Sequence, residues 1–400
     1  MTANGNAVKG WFSKVPEVTI FFWIIKVLCT TVGETFSDFL NVNLGMGLTQ
    51  TTIIMGVAFV VVLFLQFKAR KYVPVLYWLT VVLISVFGTL VTDNLTDAMG
   101  VPLETSTIVF SGLLALTFLM WYLSEKTLSI HSIFTFRREA FYWLTILFTF
   151  ALGTAVGDLF SEQLGLGYLK TGLTVVIVIA IILVAWRFKL NEILAFWIAY
   201  ILTRPLGASL GDYLSQSKVN GGLALGATVT SVIFLIAILA IILFLAVSKV
   251  DIIKKSEADT STQITQTPRK VLVQTVVVII IFLAVGIGGY VWCNQNIIPE
   301  IDAAQTTLSG QLTDFITTEN EMLNAVKSKD FATAKSYADT LEHDWDEAQA
   351  KLRKIDRKTW TKIDGTIDDV LAANRAKQPN ADKCQSALED SLSALNEANQ

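Results

Sequence analysis

The chain has 400 residues, of which 53% are hydrophobic and 16% charged, and its formal net charge is −3 at pH 7. It is too apolar for an ordinary soluble domain, and its slightly acidic balance indicates no nucleic-acid partner. Three cysteines are too few for a disulfide scaffold or a four-cysteine zinc site, and two histidines leave little material for His-based metal or triad chemistry.

Nine apolar segments have the length that crosses a bilayer core, roughly 18 to 25 residues. The first has no small-residue cleavage site, so we expect it to remain as a span rather than to be removed as a signal peptide. The segments predict an all-α, polytopic membrane protein. They cover about residues 16–38, 48–67, 74–94, 104–123, 140–160, 168–186, 191–212, 221–247 and 271–292.

Lysine and arginine cluster in alternate loops: before the first segment and after the second, fourth, sixth and eighth. The opposite loops contain only Lys170 and Lys218. Cytoplasmic loops are enriched in these residues. We therefore predict a cytoplasmic N-terminus over residues 1–15 and, after nine crossings, an extracytoplasmic C-terminus.

The first eight segments repeat one motif, in which a tryptophan is followed ten residues later by a glycine and five residues after that by an aspartate. The motif predicts four tandem helical hairpins, at about 16–70, 71–135, 136–189 and 190–248. Each hairpin crosses twice, so all four share one orientation, unlike an inverted-repeat transporter. The sets are Trp23, Gly33, Asp38; Trp78, Gly88, Asp93; Trp143, Gly153, Asp158; and Trp197, Gly207, Asp212.

The tryptophans and glycines of the motif predict structural roles. Each tryptophan is expected to lie toward the cytoplasmic end, either in an interfacial aromatic belt or as a packing knob between helices. Each glycine starts a pair of small residues four apart, which lets two membrane helices approach closely. We therefore expect the odd-numbered helices to pack around a common centre.

Membrane anchoring and helix packing do not explain the aspartates, because a carboxylate at membrane depth costs free energy unless it is paired, protonated or hydrated. At about 1.5 Å per residue, the aspartate lies roughly 22 Å from its tryptophan, near the outer edge of the hydrocarbon. Neighbouring acids reinforce three copies: Glu34 precedes Asp38 by one turn, Asp97 follows Asp93, and Glu162 follows Asp158. Three interpretations stay open: solvated helix ends, interhelical salt bridges, or an acidic ring that attracts a cation.

Two basic residues lie inside spans. Arg204 directly precedes Pro205 in the seventh segment, where the proline breaks the backbone hydrogen-bond ladder. We expect Arg204 either to neutralise one of the acids or to meet an anionic substrate. Lys26 lies near the cytoplasmic end of the first segment, and we expect its ammonium group to snorkel toward the interface.

Residues 249–270 are polar and lack apolar periodicity, which is typical of a flexible cytoplasmic linker. The ninth segment, 271–292, lacks the motif and is interpreted as an anchor. Residues 293–400 contain 12 Lys and Arg against 19 Asp and Glu, and their apolar residues recur at helical spacing. They predict an extracytoplasmic bundle of three or four helices, with breaks near 328–330, 357 and 378–380. Cys293 and Cys384 share a compartment there and could be paired or free.

The motif resembles a bacterial family of membrane-anchored proteins built from four tandem two-helix repeats of unknown function. The resemblance covers about residues 15–248 and rests on the four tryptophans together with the segments GETFSD, GTLVTD, GTAVGD and GASLGD. The fourth copy departs by carrying Arg204 and Pro205. The resemblance implies architecture and a membrane location but no activity. The tail more loosely resembles small helical extracytoplasmic domains of Gram-positive membrane proteins, which implies a module fused to the repeats.

Two functional hypotheses follow. The first is a cation- or proton-linked transporter or conduit whose outer site is formed by the acids, where oxygen ligands would suit a hard cation. The second is a non-transporting scaffold or envelope sensor that presents the tail to a partner protein. The sequence has no phosphate loop, nucleophile elbow or metalloprotease motif, so it predicts neither an enzyme nor a cofactor. The candidate site residues are Glu34, Asp38, Asp93, Asp97, Asp158, Glu162, Arg204 and Asp212.

Overall fold

The computed structural model describes residues 13–44, 46–216, 218, 221–252, 268–297, 306–376 and 378–400. These residues form thirteen α-helices, and none of these ranges contains a β-strand. Most of the linker predicted at 249–270 lies outside the described residues. The predicted all-α, polytopic architecture is confirmed, because nine of the described helices are long and apolar enough to cross a membrane.

Eight helices form the repeat domain. Each repeat contributes two consecutive helices. The eighth helix begins later than its apolar pattern predicts, because positive backbone φ angles at Gly221, Ala224 and Gly226 hold the preceding residues in turns. The bounds are α1 Ile20–Asp38, α2 Leu48–Lys68, α3 Pro74–Asp93, α4 Leu103–Glu125, α5 Phe136–Asp158, α6 Tyr168–Arg187, α7 Glu192–Ser215 and α8 Ala227–Ser248.

The odd-numbered helices are the inner helices. They pack in a closed ring in the order α1, α3, α5, α7 and back to α1. Between 61 and 67% of the most apolar stretch of each inner helix is buried, against 17 to 28% for the even-numbered, outer helices. The expected packing of odd-numbered helices around a centre is confirmed. The ring has a tryptophan end, where the inner helices begin, and an aspartate end, where they finish.

Each outer helix packs against the inner helix of the next repeat: α2 on α3, α4 on α5, α6 on α7, and α8 back on α1. Their other faces are covered with exposed apolar side chains, such as Ile108 and Ile236. Exposed apolar surface of this kind suits lipid rather than water. The described chain is therefore a multi-pass membrane protein. The outer helix of each hairpin packs mainly against a neighbouring repeat instead of against its own inner helix.

The inner helices of the first three repeats change their winding at the motif aspartate. A π-helical turn starts directly after it, over Phe39–Asn43, Asn94–Ala98 and Leu159–Gln163. The fourth inner helix instead stays α-helical to Ser215 and contains Pro205. Isolated π-helical turns occur mostly within α-helices at functional sites. The fourth repeat is thus distinct in backbone as well as in sequence.

The remaining helices are one span and a bundle. The span α9, Pro268–Asn296, runs along the outside of the ring, where Gln274 bonds to Asn191 and Tyr290 bonds to Glu104. The helices α10 Thr313–Lys327, α11 Phe331–Ile355, α12 Arg357–Asn374 and α13 Ala381–Asn399 form a four-helix tail bundle. The three predicted breaks are confirmed.

The tail bundle has its own apolar core and capped helices. Trp345 and Trp360 stack at its centre with ring centroids 5.8 Å apart. Asp330 and Asp356 accept hydrogen bonds from backbone N–H groups of the first turns of α11 and α12. The bundle packs on the aspartate end of the repeat domain, where α11 contacts the third π-helical turn and α12 contacts the first two.

The three cysteines, Cys29, Cys293 and Cys384, are free and buried. Cys293 packs in an apolar cluster with Leu103 and Leu159, and the Cys384 thiol donates to the carbonyl of Ala373 within the tail bundle. The question of pairing between Cys293 and Cys384 is therefore answered by two separate free thiols.

Candidate functional site

The motif glycines form the contacts that close the inner ring. A Cβ atom added to each of them would collide with the residue three positions before the glycine of the next repeat. Close approach of the inner helices therefore requires glycine at these four positions. The colliding pairs are Gly33 with Ser85, Gly88 with Phe150, Gly153 with Arg204, and Gly207 with Thr30.

The motif tryptophans are packing knobs rather than an interfacial belt. Trp78, Trp143 and Trp197 are buried. Each motif tryptophan contacts the aromatic residue that precedes the tryptophan of the previous repeat, so the contacts run around the whole ring. The ring pairs, with centroids 5.5 to 6.2 Å apart, are Phe22–Trp78, Tyr77–Trp143, Tyr142–Trp197 and Phe196–Trp23.

Arg204 occupies the centre of the ring. It is fully buried, and its guanidinium group lies 2.7 Å from the Glu34 carboxylate. It also donates to the hydroxyl groups of Thr89 and Thr154, which follow the motif glycines of repeats two and three as Glu34 follows that of repeat one. Of the two alternatives for Arg204, the structure shows neutralisation of an acid, and that acid is Glu34 rather than a motif aspartate.

Lys26 lies on the same axis, closer to the tryptophan end. Its ammonium nitrogen is 4.0 Å from the Phe150 ring centroid and 4.3 Å from that of Tyr200, and it has no hydrogen-bond acceptor among the described residues. The expectation that Lys26 snorkels to the interface is wrong. The residue faces the centre of the ring, where the side chains of α5 and α7 bury its ammonium group.

The tryptophan end is closed by an N-terminal strap, residues 13–19. The strap forms backbone hydrogen bonds to Tyr72, Ile133 and Asp251, which belong to three different interhelical segments. Its Lys14 ammonium lies 2.7 Å from the buried Glu139 carboxylate. The strap therefore ties together the starts and ends of several repeats across this end of the ring.

The aspartate end gathers seven carboxylates in one region. Each of the four motif aspartates experiences electrostatic repulsion from at least three other members of the set. The sequence-predicted acids are thus brought together rather than spread around the rim. This acidic group consists of Glu34, Asp38, Asp93, Asp97, Asp158, Glu162 and Asp212.

The acidic group lies where the tail bundle contacts the repeat domain. Glu34 and Asp212 are buried, whereas the other five members keep partial exposure although the tail bundle lies over them. Arg204 is the cation that forms an ion pair with a member of the group from within the repeat domain. Among the described residues, no three His, Cys, Asp or Glu side chains lie close enough together to hold a metal ion. The seven carboxylates are therefore near neighbours, but in this arrangement they do not form a coordination shell for a metal ion.

The tail bundle covers the acidic group, and we call the covering residues of α11 and α12 its roof. Arg357 of α12 lies 3.4 Å from the Glu104 carboxylate and donates to the carbonyl of Val101. Arg353 of α11 attracts the carboxylates of Asp97 and Glu162 electrostatically. Asp364 of α12 accepts a hydrogen bond from Trp345, and burial, with repulsion from Asp97, raises the pKa of its carboxyl to about 7.

Sequence reasoning missed three parts of this arrangement. The aromatic residue before each motif tryptophan recurs in the sequence as an FW or YW pair, which is the signal for the aromatic ring contacts. Thr89 and Thr154 would have emerged from aligning the four copies at their glycines. Arg353 carried no local signal, because only the docking of the tail bundle brings it to the acids.

The chain matches the repeat family described as Repeat of Unknown Function (DUF347) four times, at residues 21–72, 76–127, 141–189 and 195–251. These ranges cover just over half of the chain. The protein belongs to this repeat family. No curated protein and no solved structure matches the chain.

Membership in the repeat family accounts for α1 to α8, because each matched range contains one inner and one outer helix. The span α9 and the tail bundle lie outside the matched ranges. The acidic group is therefore built by the family repeats, and its roof is built by a part of the chain that the family match does not include.

Proposed function

We propose that this protein is a cation- or proton-linked transporter or conduit whose binding site is the acidic group. The observation that carries the proposal is the convergence of seven carboxylates in one region at the aspartate end, under the tail bundle. Carboxylates in a poorly hydrated space need counter-charges. Arg204 supplies one and Arg353 a second, which leaves five of the seven acids to be balanced by protons or bound cations.

The proposal includes a closed centre. Below the acidic group, the Arg204–Glu34 pair and the Lys26 side chain occupy the axis, and the aromatic contacts and the N-terminal strap follow. A cation that reaches the acids can continue only if the Arg204–Glu34 pair separates. In this proposal the Arg204–Glu34 pair is the gate of the path, and the acidic group is the site where the cation binds before it reaches the gate.

We also propose a bacterial cell membrane with the N-terminus cytoplasmic and the tail bundle outside. The alternating loop charges support this orientation. It is tested with Lys71→Cys in the loop after α2 and Thr340→Cys on α11, both at exposed positions. An impermeant maleimide added to intact cells should modify Thr340→Cys alone. Modification of Lys71→Cys alone would reverse the orientation.

The transport proposal is tested in proteoliposomes with a pH-sensitive dye inside and an imposed proton gradient, with and without Mg²⁺, Mn²⁺ or Ca²⁺ outside. Asp158→Asn removes one carboxylate of the acidic group while keeping the shape of the side chain. We expect it to reduce flux at least tenfold. The matched control is Asp314→Asn, an exposed acid of the tail bundle, which should leave flux unchanged. Equal flux in the wild type, Asp158→Asn and empty vesicles would disprove transport.

The second candidate is a non-transporting scaffold that presents the tail bundle to an envelope protein. The packed centre of the ring favours it, because a scaffold needs no path along the axis. Truncation after residue 248 discriminates between the two functions. The proton flux of the dye assay should persist under the transport proposal, since the acidic group lies within the repeats. Every cellular phenotype of the gene should disappear under the scaffold alternative.

A further inference from the structure

Arg353 has an unoccupied hydrogen-bonding edge inside the protein. Its side chain is only 6% exposed, and its guanidinium carbon lies 4.5 Å from the centroid of the Trp360 ring. The Nε and Nη2 atoms have no hydrogen-bond acceptor among the described residues. Buried donors of this kind are normally satisfied, because each unsatisfied donor costs free energy.

The two unsatisfied atoms are chemically specific. Nε–H and Nη2–H lie on the same side of the planar guanidinium group and point in parallel. This edge binds the two oxygens of one carboxylate through a pair of parallel hydrogen bonds. Stacking on Trp360 fixes the plane of the group, so the edge is held ready for such an acceptor.

The surroundings restrict what the acceptor can be. Arg353 faces Asp97 and Glu162 of the acidic group and Asp364 of the tail bundle, and it interacts electrostatically with each of them without a hydrogen bond. A free anion such as phosphate would be repelled by these acids. A carboxylate that carries its own positive charge would not be, because its ammonium group can lie among the same acids.

We propose that the space between the tail bundle and the repeats binds a small zwitterion, with its carboxylate on the Nε–Nη2 edge of Arg353 and its ammonium group among Asp97 and Glu162. This inference rests on the proposed function and names the substrate class of that same site. The tail bundle then contributes a binding residue to the acidic group instead of serving only as its cover.

The test uses the full chain in lipid nanodiscs and isothermal titration with three probes of matched length: 4-aminobutanoate, n-butylamine and butanoate. We expect the zwitterion to bind roughly 10- to 100-fold more tightly than the amine, since a hydrogen bond to a charged group contributes about 1.5–3 kcal/mol. Butanoate alone should not bind.

Two variants locate the carboxylate. Arg353→Gln should remove the preference for 4-aminobutanoate over butylamine and leave butylamine binding intact, while Arg353→Lys, which keeps the charge and the stem, should retain only part of the preference. Lys354→Gln is the matched control, because this neighbouring cation is exposed. It should bind all three probes as the wild type does.

Three results would overturn the inference. Equal affinity for the amine and the zwitterion in the wild type would remove the carboxylate position. Unchanged binding in Arg353→Gln would assign the arginine to pairing with Asp97 or Glu162 instead. A lack of binding by 4-aminobutanoate would reject the substrate class. The dye assay of Asp158→Asn reports separately on the acidic group, so a failed zwitterion site and a failed transport proposal remain distinguishable.

Discussion

At the scale of single residues, Arg204 distinguishes the fourth repeat from the other three. The equivalent positions hold Thr30, Ser85 and Phe150, so the fourth copy alone has a charged residue at this position. Its partner Glu34 is likewise the only acid at its position in the four copies. The buried ion pair therefore joins two residues that each differ from their counterparts in the other three repeats.

We predict that Arg204→Ala destabilises the folded protein by about 3–5 kcal/mol, because it leaves Glu34 as an uncompensated buried charge. Replacing both partners, Arg204→Met with Glu34→Leu, should restore most of the loss. Unfolding in mixed micelles, followed by tryptophan fluorescence, measures both. Arg137→Ala, an exposed arginine on α5, is the control. A double variant as unstable as Arg204→Ala would contradict the ion-pair explanation.

Glu319 is a buried acid in the core of the tail bundle. Its carboxylate accepts a hydrogen bond of 2.7 Å from Ser391, and burial raises its pKa to about 7. The folded state therefore binds this proton more tightly than the unfolded state, whose pKa is near 4.5. The stability of the bundle should accordingly fall as the pH rises from about 4.5 to about 7.

Glu319→Gln tests this dependence. It should raise the free energy of unfolding of the tail bundle by about 1–3 kcal/mol at pH 8 and have little effect at pH 4, because the native carboxyl is already protonated there. Denaturation of the full chain monitored at Trp345 and Trp360 gives the values. Glu389→Gln changes an exposed acid and should leave the pH profile as it is. An equal gain at both pH values would mean that protonation is not the cause.

At the scale of elements, one glycine per repeat allows each inner helix to pack closely against the next. The contact between α7 and α1 closes the ring, and Gly207 lies against Thr30 there. The outer helix α4 needs no such residue at Gly112: no atom lies within 4 Å of a Cβ added there, so lipid can accommodate one.

Gly207→Ala should therefore destabilise the repeat domain by about 1–3 kcal/mol through overpacking against the Thr30 side chain and backbone. Gly112→Ala makes the same chemical change on an outer helix and should be neutral. Thermal unfolding in detergent compares the two variants. Equal stability of Gly207→Ala and Gly112→Ala would show that the ring can open at the α7–α1 contact without cost.

At the scale of the whole molecule, the tail bundle and the repeat domain share one site. The docking contacts join α11 and α12 to the three π-helical turns, and Arg357 reaches both Glu104 and the carbonyl of Val101. The family repeats thus end in a surface that the rest of the chain covers.

Arg357→Ala should loosen the docking without unfolding the bundle. Hydrogen exchange followed by mass spectrometry should show faster exchange over residues 94–104 and unchanged exchange in the core of α12. Lys362→Ala, which removes a surface ion pair with Glu397 inside the tail bundle, is the matched control and should leave 94–104 unchanged. Faster exchange throughout α10 to α13 would instead show that Arg357 stabilises the bundle itself.

The sequence alone determined the nine spans, the four repeats, the closeness of the inner helices and the breaks between the tail helices. Each of these depends on local hydrophobic length, on helical periodicity or on a motif repeated at constant spacing. The acids were also visible in sequence, because charge at membrane depth is rare. Their convergence followed from the parallel orientation of the repeats.

The tertiary structure decided which charges meet. Lys26 and Arg204 are both basic residues inside spans, yet the first contacts aromatic rings and the second pairs with Glu34. Arg353 reaches the acids from far along the chain. These outcomes depend on the rotation of each helix about its axis and on the docking of the tail bundle. No local pattern encodes either quantity, because both are set by packing between elements distant in sequence.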